Sequence, residues 1–338
     1  MWLRSLLLFA IGLLPGAVAQ SVQASDELPI PLIFDTDIDT DCDDVGTVAC
    51  LHALADGGEI EILATTVSSN YEHSAPCLDA LNQYYGRGTL PLGVPNREGA
   101  SVNRGSRYAS QIASQFPSRF KTNADAPAAV DVLRRALAAA ADHSVRIVTV
   151  GYLTNAADLL QSGPDPISPL SGRELIQQKV ERLVVMGGRY PEHLDPNVYG
   201  NFKPDPDSAV RVANEWPSVI YFSGDGEKMG TGSQRTQLPS SHPLRVAYDL
   251  FLGDKLTRPS WDQTTLLFAV RPDAAYWKVT QQGGNHIFPN GTNRWVDDAP
   301  DDHRLVQVIE SQREALTAEI DRLMLHPSGP PPRSEESR

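Results

Sequence analysis

Residues 33–44 read IFDTDIDTDCDD, and the fold turns on this stretch. The apolar run Pro31–Phe34 leads directly into six aspartates within ten positions, Asp35 to Asp44. A short, unbroken apolar run reads as a strand buried on both faces, the kind found in parallel sheets. Open parallel sheets gather their chemistry at the carboxyl ends of the strands, where these aspartates stand. Carboxylates at this density repel one another unless a cation lies among them.

The pattern repeats outward from the loop. From Asp43, apolar residues fall at helical spacing (Val45, Val48, Ala49, Leu51, Leu54) until Gly57-Gly58 stops the helix. A second strand, Ile60–Ser69, ends at Asn70. A helix over 74–88 and a short strand over 90–94 follow. The alternation returns with a helix at Ala128–Asp142, a strand at Val145–Gly151 and a helix from Leu153 with Thr154 or Asn155 near its cap. It continues with a strand at Val180–Met186, a helix over 205–216 and a strand over 218–224. Such order predicts an α/β protein: a single domain, residues 28–325, with an open, mostly parallel sheet flanked by helices. The active site is expected at the carboxyl ends of the strands, among Asp35–Asp44, Asn70 and residues 151–155, 187–201 and 224–230.

Further on, Thr264–Val270 reads as the buried part of a helix in the segment Ser260–Pro272. Residues 301–325 read as one long amphipathic helix with Leu305, Val308, Ile309, Leu316, Ile320 and Leu323 on its stripe. The proline-rich, charged tail, 326–338, is expected to be disordered. A net charge of -13 argues against a nucleic-acid partner, since phosphate contacts need clustered Lys and Arg.

At the other end, Arg4, the apolar run Leu6–Leu14 and Ala17-Val18-Ala19 form a signal-peptide pattern. The run is shorter than the roughly 20 residues a membrane span needs. Residues 1–19 are therefore expected to be removed on export to the periplasm or outside the cell, leaving no membrane anchor. Cys42, Cys50 and Cys77 are odd in number and read as small buried side chains, with one disulfide from Cys77 left open.

Two acidic motifs fail against the loop. A calcium-binding EF-hand wants Gly at position six and Glu at twelve. Counting from Asp35, Asp37 or Asp39 gives Thr40 and Gly46, Cys42 and Val48, or Asp44 and Cys50. The phosphatase pattern Asp-x-Asp-x-Thr/Val finds Asp39 at its fifth position. A third pattern fits. FDTDIDTDCDD resembles the signature of the inosine–uridine type of nucleoside hydrolase, with Asp39 where glycine is usual. The resemblance recurs in order along Pro31–Pro272: ATTVSSN to Asn70, VTVGYLTN to Asn155, Met186-Gly187-Gly188, NFKPDPDSA from Asn201, and Asp262.

That resemblance implies one calcium ion, which as a hard cation takes six to eight oxygen ligands. It implies Asp37, Asp44 and Asp262 as ligands, with the backbone carbonyl of Val150. Asp41 or Asp39 could replace Asp37. It implies that Asp43, Asn70 and Asn201 grip the ribose, and that Asp37 and Asp43 serve catalysis. The substrate would be a nucleoside or other riboside, cleaved through an oxocarbenium-like state; a homo-oligomer is possible.

Besides Asp39, the chain departs from the family at two further places. Trp261 stands where a histidine precedes the late aspartate, and Tyr199 stands for a glutamate. Trp261 reads equally as pocket stacking or core; Tyr199 and Asn197 read as further substrate contacts. His193 and His73 are the histidines able to supply a missing proton. Two other functions compete: a ribose- or nucleoside-binding protein with weakened turnover, and a phosphatase using Asp35 and Asp37.

Overall fold

The computed structural model describes residues 28–96, 105–299 and 302–327. The expected leader, 1–19, and nearly all of the tail, 326–338, lie outside them.

The first half alternates as expected: β1 (Ile30–Thr36), α1 (Asp43–Asp56), β2 (Ile60–Val67), α2 (Ser74–Tyr84), β3 (Leu92–Gly93), α3 (Ala109–Gln115), α4 (Ala129–Ala139), β4 (Val145–Thr149), α5 (Thr154–Gln161), α6 (Gly172–Lys179) and β5 (Val180–Met186). There follow β6 (Glu192–His193), α7 (Pro206–Glu215), β7 (Ile220–Ser223), β8 (Gly230–Thr231), α8 (Pro243–Leu252), β9 (Arg258–Pro259) and α9 (Trp261–Val270). The chain closes with β10 (Trp277–Val279), β11 (Gly284–Ile287), β12 (Asn293–Val296), β13 (His303–Val308) and α10 (Arg313–Met324).

Eight strands form the main sheet in the order β10-β13-β7-β5-β4-β1-β2-β3. All neighbours are parallel except the edge pair β10/β13. After β1 the chain builds outward through β2 and β3, then returns to place β4 on the other side of β1. The strand order thus reverses at β1/β4, where the carboxyl ends leave a crevice. One apolar core lies between the sheet, α1, α2, α8, α9 and α10; a second lies between the other face, α4 to α7 and the small β11-β12-β6 sheet.

The long helix expected over 301–325 is two elements. His303–Val308 is a strand, parallel to β7 and antiparallel to β10, and the helix begins only at Arg313. Leu305 and Val308 are buried in the sheet rather than on a helix stripe, and Ile309 is partly exposed. Leu316, Ile320 and Leu323 do bury on α10. A β-branched run beside an open strand edge gains a ladder of hydrogen bonds, and that overrides a weak helical periodicity. The three cysteines are buried free thiols.

Candidate active site

The crevice is closed by tight backbone approach. The amide of Val150 donates to the Asp35 carbonyl (2.8 Å) and that of Ser68 to the Thr36 carbonyl (2.9 Å), so three strand ends are laced together. A Cβ on Gly151 would lie 2.4 Å from the amide nitrogen of Asp37 and 2.3 Å from Ser68 Oγ, so only glycine lets the β4 end lie against the loop. Buried Ile38 sits at φ 27°, an uncommon position for a β-branched residue. Its amide is held by Thr36 Oγ1 and by Asp44 Oδ1, each at 3.2 Å.

The six aspartates divide by what they touch. Asp35 accepts two hydrogen bonds from Asn155 Nδ2, at 3.2 and 3.0 Å. Its carboxylate thereby ties β1 to α5, and burial holds its pKa well above the usual carboxylate range. Asp39, fully buried, accepts from Ser69 Oγ at the end of β2. Asp44 accepts from Thr36 Oγ1. Asp41 accepts from the Asp43 amide at 3.2 Å, while its own carbonyl accepts from the Tyr108 hydroxyl at 2.6 Å. Asp37 lies 3.4 Å from the Tyr199 hydroxyl, which is also 3.3 Å from the Tyr152 hydroxyl. The remaining carboxylate, Asp262, comes from the first turn of α9.

Burial raises the pKa of Asp37, Asp44 and Asp262 well above the ordinary value, and mutual repulsion raises it further. Asp39 and Asp41 act on Asp37; Asp37 and Asp41 act on Asp44; all of Asp44, Asp41 and Asp37 act on Asp262. The carboxylates from the two ends of the chain therefore share one electrostatic neighbourhood.

In the opposite wall Arg258 was not foreseen. Arg258 Nη2 donates to Asp41 Oδ2 at 2.6 Å, and its Nε lies 3.5 Å from Asp43 Oδ1. The guanidinium carbon sits 4.9 Å from the Trp261 ring centroid and 5.3 Å from that of Phe251. With Tyr199, Asn201, His193 and Gly187-Gly188, Arg258 and Trp261 line a cavity of about 240 Å³ beside the loop. The sequence offered one signal for Arg258: it lies four residues before Asp262.

The other anticipated residues find varied places. Asn201 Nδ2 donates to the Val150 carbonyl at 2.5 Å, which joins the two at the crevice. Half-buried Asn70 follows directly on Ser69. Asn197 is exposed and closes a turn on Asp195, outside the cavity lining. His73 stands at the N-terminus of α2, near Glu72. His193 is 6% exposed, lines the cavity, and its Nε2 has no hydrogen-bond partner. Half-buried Trp261 forms pocket wall rather than core. A larger hollow of about 410 Å³ beside α7 is lined by His303, whose two ring nitrogens are engaged by Asn285 and Ala213, and it offers no comparable cluster of carboxylates.

Whether these residues suit a metal rests on the donor set. Among the described residues no three His, Cys, Asp or Glu side chains form a ready-made cage. The set is nonetheless all oxygen, and buried Asp262 Oδ1 has no hydrogen-bond partner among the described residues. A buried carboxylate oxygen without a donor is costly, and a hard cation is the partner that such a group fits.

An α/β protein with a carboxylate-lined cleft at the strand-order reversal is the class that fold and site define. A family model described as inosine-uridine preferring nucleoside hydrolase matches residues 32–230, more than half of the 338-residue chain, and the chain belongs to that family. Its fold is shared by solved structures. A plant nucleoside hydrolase aligns with 16% identity and TM-score 0.64, covering 88% of this chain and 100% of its own. A purine-preferring ribonucleoside hydrolase from Gardnerella vaginalis aligns with 14% identity and TM-score 0.67, covering 87% and 99%. An inosine-uridine preferring nucleoside hydrolase from Bacillus anthracis aligns with 17% identity and TM-score 0.65, covering 87% and 99%. Comparison with curated protein sequences finds no match.

Proposed function

We propose that this chain hydrolyses the N-glycosidic bond of ribonucleosides, releasing ribose and a base, with calcium as cofactor. The observation that carries this reading is the meeting of Asp37, Asp41 and Asp44 with Asp262 beside a cavity of about 240 Å³. Asp37, Asp44 and Asp262 would hold the ion, with the Val150 carbonyl beside them; Asp41, paired with Arg258, is the less available ligand. When bound, calcium would orient the ribose diol and favour a deprotonated water.

The chain's own groups do the rest. Asp43 and Asn201 face the sugar and fix the hydroxyls, so that the ring is held for flattening as C1′ gains positive charge. Asp37 takes the proton of the attacking water. The Tyr152–Tyr199 pair orients Asp37. Trp261 stacks on the base and excludes water from the glycosidic bond.

Release of reducing sugar across a panel of nucleosides, with and without chelator, tests the reading. No ribose from any nucleoside, combined with measurable nucleoside binding, would instead establish the second reading, a binding protein with weakened turnover. Trp261 and Tyr199 in place of an acid and a carboxylate favour that alternative. The phosphatase reading has lost its support, since Asp35 is committed to Asn155; phosphate release in the same samples checks it. We further propose export with loss of residues 1–19, which N-terminal sequencing from the native host decides: an intact Met1 refutes it.

A further inference from the structure

Cleaving an N-glycosidic bond sends an electron pair onto the departing base, which must be protonated or held as an anion. The cavity wall is short of acids. Trp261 has no acidic proton near neutral pH. The Tyr199 hydroxyl is turned to Asp37 and Tyr152, and burial beside Asp37 pushes the Tyr152 phenol far up. Burial, with Arg189 and Lys203 adding repulsion, holds His193 below the usual histidine range. A neutral imidazole is a poor proton source.

Arg258 is different. It is a cation in the cavity wall, fixed on one side by Asp41 and Asp43 and flanked by the Trp261 and Phe251 rings. Its Nε and Nη2 are used in those pairs, whereas its Nη1 makes no hydrogen bond among the described residues. A guanidinium has a fixed fork of donors, so holding two nitrogens fixes where the third points. The charge is preorganised rather than recruited during reaction.

We propose that Arg258 stabilises the leaving base, its Nη1 donating a hydrogen bond to the acceptor nitrogen or oxygen that gains negative charge as the bond to C1′ breaks. This rests on the hydrolase reading. The balance is simple. The C1′–N bond breaks with both electrons on the base, and water oxygen bonds C1′. The water's proton passes to Asp37 and then to solvent, and solvent protonates the released base. Arg258 keeps all its protons throughout. Trp261 contributes the stacking face and Arg258 the charge, so the two act on the same leaving group.

The experiment compares wild type with Arg258→Met and Arg258→Lys on inosine and on p-nitrophenyl riboside, whose leaving group needs little help. Removing one preorganised donor to a developing anion typically costs about 10²–10³ in rate. Arg258→Met is expected to lose about that factor in kcat on inosine, and less than about tenfold on the nitrophenyl riboside. Arg258→Lys should recover part of the inosine loss. Equal losses on both substrates would show that Arg258 acts only by positioning Asp41, Asp43 or Trp261, and would overturn the proposal; so would no loss on either. A second measurement needs no turnover: calorimetry with p-nitrophenolate. Its affinity should fall about tenfold or more in Arg258→Met at an unchanged melting temperature. Unchanged affinity overturns the proposal even if wild type hydrolyses nucleosides. Weakened affinity supports it even if wild type hydrolyses none, which would count against the hydrolase reading alone.

Discussion

Behind the loop wall of the cavity, which Asp41 lines, stand Asp37, Asp43, Asp44 and Asp262, each no more than 4% exposed. On the facing wall stand Arg258, Trp261 and His193: a guanidinium, an indole and an imidazole. The carboxylate side is backbone-laced, with loop and strand ends tied by main-chain hydrogen bonds, and suits a cation and a sugar diol. The aromatic side is assembled by side-chain stacking on short elements and suits a flat, electron-accepting base. On the proposed function, the two walls would divide the reaction, one serving C1′ and its water, the other the leaving group. This chain departs from the family resemblance on both sides, at Asp39 and Tyr199 beside the carboxylates and at Trp261 on the aromatic wall.

The largest expected effect tests the first wall. Asp262→Asn should abolish calcium binding measured by calorimetry and lower kcat/KM by about 10³ or more, within the range of losing charge stabilisation and acid–base help together. Asp35→Asn is its control. That carboxylate binds Asn155 rather than the pocket, so turnover should stay within about tenfold while stability falls by about 1–3 kcal/mol. Similar activity losses in both variants would break the division between a structural and a functional aspartate.

Chelation comes next. A ligand present at about 100 times its Kd adds about 2.7 kcal/mol to the folded state, so the chelator should lower the melting midpoint by several degrees. Identical melts with and without chelator would remove the ion from the carboxylate wall.

For the facing wall, Trp261→Ala should raise KM for purine ribosides about 5- to 150-fold, the equivalent of about 1–3 kcal/mol of base stacking. Folding stability should change little, because the ring is half-buried. A large drop in melting temperature with unchanged KM would return Trp261 to the core.

The smallest effect separates acid sensitivity of the fold from that of the site. His52 on α1 is buried against Tyr85 and bonded to Asn82 at 2.9 Å; burial lowers its pKa to about 4. The unfolded chain takes this proton near the ordinary histidine value of 6.5, whereas the folded chain holds it off until about 4. Folded protein thus binds fewer protons across that window, and stability is present above 6.5 and lost as pH falls toward 4. The slope reaches about 1.4 kcal/mol per pH unit for one such group. His242, also lowered to about 4 by burial, adds in the same direction. Urea melts of wild type and His52→Gln between pH 7 and 4 check this: parallel curves would show that His52 does not carry the slope.

Much of this was legible in residue order. Pro31–Phe34, Ile60–Val67 and Val180–Met186 are strands because β-branched and apolar side chains fill a sheet covered on both faces. The Asp43 helix ends at Gly57 for local reasons that need no tertiary context. Less legible was the end of the chain. Arg304–Val308 could satisfy its backbone as helix or strand, and only the open edge of β7 decided for strand. Likewise the role of each aspartate depended on which donor lay opposite.

Residue order alone thus determined the α/β alternation and the carboxylate loop at a strand end, since both follow from local hydrophobic period and charge density, while the motifs through Asp262 carried the family resemblance. The tertiary structure decided the rest. It assigned Asp35 to Asn155 and Asp39 to Ser69, left Asp262 Oδ1 without a partner, and set Arg258 between two rings against Asp41 and Asp43. Hydrogen bonds and ion pairs act over a few ångströms between residues up to about two hundred positions apart, and sequence spacing carries no record of that distance.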